Sequence, residues 1–149
     1  MNNSYQTALI LLHIFGVVIW VGGMIFMQFF LRPATADLAP QMRLSLLENV
    51  LGRFFVWVAG AIVAILVSGG LMAAAMGASV PLSVKAMTAI GIVMMLLFGH
   101  IRFALYPKLR RAVQAQNWAE GAQRMTQLRR WVGINLLLGV INIVVAMAL

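Results

Sequence analysis

The chain has no cysteine and only three acidic residues among its 149. The first absence removes disulfides, thiolate metal sites and Cys-x-x-Cys redox chemistry. The second leaves no carboxylate pair for acid–base work. No HExxH, GxSxG or phosphate-binding glycine loop is present either, so hydrolytic chemistry has no constellation to run on. Charge of any sign is scarce, at 9% of residues against about 25% in a soluble domain. In its place stand 63% hydrophobic residues and a mean hydropathy of +0.97. A surface built from such a composition cannot face water all round.

Four apolar stretches account for most of it: residues 8–31, 54–76, 81–106 and 131–149. Three are free of formal charge, and the third is interrupted by Lys85, His100 and Arg102. Each is near the ~20 residues that cross ~30 Å of hydrocarbon at 1.5 Å per residue. The expected fold is all-α: an integral membrane four-helix bundle in one domain. Residues 1–7 carry no positive charge, and the apolar run behind them ends without a small-residue cleavage site, so it reads as a retained first helix.

The bases set the expected orientation. Arg32, Arg43 and Arg53 lie between the first two stretches. Arg102, Lys108, Arg110, Arg111, Arg124, Arg129 and Arg130 lie at or between the last two. An excess of Lys and Arg marks cytoplasmic segments, which predicts two long basic cytoplasmic loops and both termini outside, on the periplasmic face. This topology signal accounts for the net charge of +8 without nucleic acid, and the expected partner is the lipid bilayer. Residues 41–52 and 108–130 have helix-forming composition with partial 3.6-residue periodicity. The second helix should therefore begin early and the third should extend past the bilayer, with basic faces near anionic headgroups.

Lys85 is the one base left inside a membrane stretch. A charge there costs ~2.5–3.5 kcal/mol on insertion scales, so it is paired, wetted or functional. Counting inward from the outer surface, His13 lies ~9 Å deep and Lys85 ~6 Å deep, with Ser68 and Met72 in the same slab. On the first helix His13, Gly16, Trp20, Gly23 and Met27 share a face, whose small residues admit another helix or a flat cofactor. A second layer, Gln28, His100 and Asn135, sits toward the basic end with Arg53 and Arg102 at its rim. His100 follows Lys85 by ~22 Å along the axis, so His13 and His100 cannot ligate one metal or one haem iron.

Each of these residues has a plain and a chemical reading. His13 is either an interhelical hydrogen bond or a metal or haem ligand. Lys85 either snorkels to the interface or pairs with an anion such as a tetrapyrrole propionate, since no acid lies in the outer half of the chain. Asn135 and Asn142, seven apart, read as packing. The eleven methionines form no MxxM cluster at a pore mouth. Met72 and Met76 nevertheless reach the level of His13, and soft thioethers select Cu(I).

The segment Leu12-His13-Ile14-Phe15-Gly16-Val17-Val18-Ile19-Trp20-Val21-Gly22-Gly23 resembles the first helix of the CopD-like membrane domain and of the related HemJ-like proteins. Lys85, Gly99-His100-Ile101-Arg102, Pro107-Lys108-Leu109-Arg110-Arg111 and Arg129-Arg130 extend the resemblance. It implies a four-helix protein of the bacterial inner membrane. CopD-like proteins are associated with copper uptake and resistance. HemJ-like proteins bind haem b and oxidise protoporphyrinogen, and their helix-one histidine and helix-three lysine correspond to His13 and Lys85. The Asn-Glu-x-Pro segment of HemJ-like proteins is replaced here by Gly133-Ile134-Asn135, so the CopD-like side carries the expectation.

Three functions follow. The first is a redox protein with haem b in the outer half, where His13 is the axial ligand, Lys85, Trp20 and Ser68 line the cofactor, and Lys85 is the catalytic candidate if the chain is an enzyme. The second is a copper-handling protein with His13, Met72 and Met76 as ligands. The third is a structural or assembly protein in which His13 and Lys85 only join helices. One four-helix unit encloses little volume for a cofactor, which makes a homodimer a reasonable expectation.

Overall fold

A computed structural model describes residues 3–148, and Leu149 at the end of the fourth stretch lies outside them. Four helices cover the apolar stretches except Pro81, and each runs past its stretch at one end or both: α1 Asn3–Ala34, α2 Pro40–Met76, α3 Leu82–Gln114 and α4 Trp118–Ala148. All four are long and apolar enough to cross a membrane. The segments anticipated as long loops are helical over most of their length, leaving connections of only 35–39 and 115–117 at that end. The reason is burial. Leu51 of α2, Leu109 of α3 and Leu128 of α4 share one buried cluster, and Leu44, Leu47 and Ala112 are buried as well.

Local chemistry fixes the helix ends. Pro40 opens α2 in its first turn, where its missing N–H is not needed. Gly77 closes α2 at φ +60°, a conformation that a side chain disfavours. Asn117 caps α4: its Oδ1 accepts from the Glu120 N–H at 3.2 Å, while its amide donates to the Glu120 carboxylate at 3.3 Å.

Three wide π-turns interrupt the helices, at Val18–Gly22 and Met27–Leu31 in α1 and at Ile101–Leu105 in α3. The last two stand just before Pro33 and Pro107. A proline leaves the carbonyl four residues back without its partner and pushes its ring against it, so the turn opens.

Helix α1 lies along α2, and α3 lies along α4. α4 also touches α1 and α2, and the far end of α3 reaches α2. The core fills the middle of the bundle. Trp20 and Phe55 both meet Phe98 edge-to-face at 6.2 and 5.9 Å, and Phe55 meets Tyr106 at 5.3 Å. Small residues let the backbones close: a Cβ on Gly16 would stand 2.7 Å from Ile65 Cγ1. Outside the core the helices present bare hydrocarbon, with Val56 68%, Leu96 70% and Phe103 75% exposed. A belt of that size suits lipid and not water.

Candidate functional site

Helix pairing decides which polar residues of the half away from the basic end can meet. His13 points from α1 onto α2, where its Nδ1 lies 3.1 Å from the Ser68 Oγ. Ser68 is fully buried. Its hydroxyl has one proton, and the 2.6 Å contact to the Ala64 carbonyl, with a longer one to Ile65 at 3.3 Å, takes it. With that proton taken, a neutral imidazole meets Ser68 as a donor from Nδ1, the tautomer in which Nε2 carries the lone pair. Gly69 makes room for the ring, since a Cβ there would lie 3.1 Å from His13 Cε1. Sequence reasoning put Ser68 at this level but gave Gly69 no role, although a glycine beside a buried serine is the visible signal of a ring packed against the helix.

Met72 follows Ser68 by one turn on α2 and is half-buried, and Met76 follows by a further turn and is 43% exposed. The three residues follow one another at four-residue steps along α2, up to the end of the helix at Met76.

Lys85 lies on another helix. It sits in the first turn of α3, is exposed, and among the described residues its ammonium has no hydrogen bond or ion pair. α3 packs mainly along α4, while His13 packs on α2. Trp20 is 4% exposed and packs edge-on against Phe98 in the core, where it faces other side chains. The residues of the expected inner layer differ in burial. His100 is exposed beside Trp131, with ring centroids 5.3 Å apart, whereas Asn135 is buried with its Oδ1 unpartnered. Gln28 lies against Gly133.

A polar cluster at the basic end went unread in the sequence. The Tyr106 hydroxyl donates to Glu48 Oε1 at 2.7 Å across 58 residues of chain, and Arg110 approaches the same carboxylate at 4.0 Å. Arg102 lies over the Tyr106 ring at 5.3 Å. Gly52 faces the hydroxyl so closely that a Cβ would collide with it.

Among the described residues no group of three or more His, Cys, Asp or Glu could hold a metal ion. A family model described as copper resistance protein D, CopD, matches residues 48–149. The chain belongs to the CopD family. The CopD match begins in α2, so Ser68, Met72, Met76 and Lys85 fall inside it, and His13 and Trp20 precede it. No curated protein and no solved structure matches the chain. Membership of the CopD family and four spanning helices make this a multi-pass membrane protein related to copper resistance.

Proposed function

We propose that this protein handles Cu(I) as cargo in the bacterial inner membrane, taking it from the outer side through Met76 and Met72 to His13. The observation that carries the reading is the engagement of His13: its Nδ1 lies 3.1 Å from the buried Ser68 Oγ, and Met72 follows Ser68 by one turn of α2. An imidazole nitrogen and thioether sulfur are the donors that suit Cu(I), and neither adds charge to a site inside hydrocarbon. Steps of one turn, ~6 Å along the axis, let the ion exchange one ligand at a time without changing oxidation state. The orientation rests on the ten bases at the opposite end, with both termini outside. Lys85 and Trp20 take no part in coordination on this reading, and no catalytic step is assigned to them.

The test is a competition titration of detergent-purified protein against a chromophoric Cu(I) chelator. Wild type should take up Cu(I), His13→Ala and Met72→Ala should lose it, and Met147→Ala, in a residue 85% exposed near the C-terminus, should bind as wild type does. Equal binding by all four would remove the proposed ligands. A Soret band in the purified wild type, lost in His13→Ala, would assign the site to haem instead.

A further inference from the structure

Where α1, α2 and α4 meet at the basic end, the structure holds a cavity of about 270 Å³ lined by Arg32, Arg43 and Arg129. We infer that this cavity binds the phosphate headgroup of an anionic phospholipid. Three guanidiniums share it, one from each helix, and none of Asp37, Glu48 or Glu120 lines it. The ion pairs among the described residues use Arg110 and Arg124 instead. Arg32 and Arg129 bring like charges to its wall from α1 and α4. Arg43 donates only a long bond, 3.4 Å, to the Ala36 carbonyl. Like charges gathered in a concave site with no counter-charge create a field that an anion relieves, and the planar fork of arginine matches phosphate oxygens.

The rest of the wall points to a lipid as the source of that phosphate. Leu44, Leu51 and Leu128, all buried, line the cavity beside the arginines. Its height agrees: Arg32 is the first charge after the apolar run of α1, and Arg129 stands two residues before that of α4. The cavity therefore opens at the boundary between hydrocarbon and water, where lipid phosphates lie and where basic pockets between helices take acidic headgroups. The site lies at the opposite end of the bundle from His13 and does not depend on copper binding.

Native mass spectrometry of the detergent-purified full chain, titrated with phosphatidylglycerol or phosphatidylcholine, tests the proposal. Wild type should retain phosphatidylglycerol in preference, and Arg32→Gln and Arg129→Gln should each weaken that retention about fivefold. Arg130→Gln removes the same charge from the adjacent, exposed residue outside the cavity and should retain the lipid as wild type does. Arg129→Lys, which keeps the charge, should recover part of the loss. Equal weakening by Arg129→Gln and Arg130→Gln would reduce the effect to diffuse surface attraction and overturn the site. Inorganic phosphate that displaces the lipid and stabilises the protein against heat as well as the lipid does would overturn the lipid assignment in favour of a soluble phosphate. A variant that no longer melts cooperatively is replaced by its lysine counterpart at the same position, and the same ranking is required.

Discussion

Replacing Ser68 by alanine removes the one side-chain hydrogen bond that orients His13, and the structure allows the consequence to be divided into two parts. Ser68 is fully buried, and alanine fits its space, so the packing loss is one oxygen atom. Interhelical hydrogen bonds in membranes average ~0.6 kcal/mol and reach ~1.7, so the stability of the α1–α2 pair should fall by about 1 kcal/mol. The copper effect should be larger. Without Ser68 the imidazole loses the hydroxyl that faces Nδ1, and the ring packed beside Gly69 is held less firmly in one orientation. Loss of a partner that orients a ligating histidine weakens metal affinity about 10–100-fold. The Ser68→Ala variant should thus melt slightly below wild type while its Cu(I) affinity, read by chelator competition, drops by at least the lower end of that range. An affinity equal to wild type in Ser68→Ala, alongside binding lost in His13→Ala, would show that the serine does not orient the ligand and would refute the tautomer argument.

Two further substitutions probe other parts of the bundle. Tyr106→Phe removes a charge-assisted hydrogen bond to Glu48 and should destabilise the protein by about 1.5–3 kcal/mol in a reversible unfolding assay. Gly52→Ala should be strongly destabilising in the wild-type background and much less so with Tyr106→Phe, because the atom its Cβ meets is the phenolic oxygen; purely additive effects would contradict that contact. Lys85→Gln, at an exposed side chain with no partner, should leave thermal stability within about 0.5 kcal/mol and Cu(I) affinity unchanged, and a large loss of either would return Lys85 to the site.

How much of this could be read from the sequence follows from which coordinate each argument used. Depth along a helix is set by the 1.5 Å rise, so the shared level of His13 and Ser68 was legible, and they stand 3.1 Å apart. Azimuth was not legible. A nearly uniform apolar run gives a helix no marked face, and nothing in the run around Lys85 says that α3 lies along α4 and leaves the lysine exposed. Trp20 shows the same ambiguity, since a large ring on a glycine-rich face serves a cofactor or a core equally well, and Phe98 takes it into the core. The early start of α2 and the extension of α3 were foreseeable from residues 41–52 and 108–130, but the break at 115–117 that gives 118–130 to α4 was not. Contacts between them, such as Tyr106 with Glu48 and the three arginines around one cavity, depend on pairings across distant parts of the chain. The π-turns before Pro33 and Pro107 had a local cause in view, the missing proline N–H, but proline bends a helix in several ways and the sequence does not choose among them.

X-ray absorption at the copper edge of the Cu(I)-loaded protein tests the central claim most directly. The account predicts a first shell of mixed nitrogen and sulfur, with the imidazole scattering lost in His13→Ala and the sulfur contribution reduced in Met72→Ala. A shell without sulfur, or one that both substitutions leave intact, would contradict it.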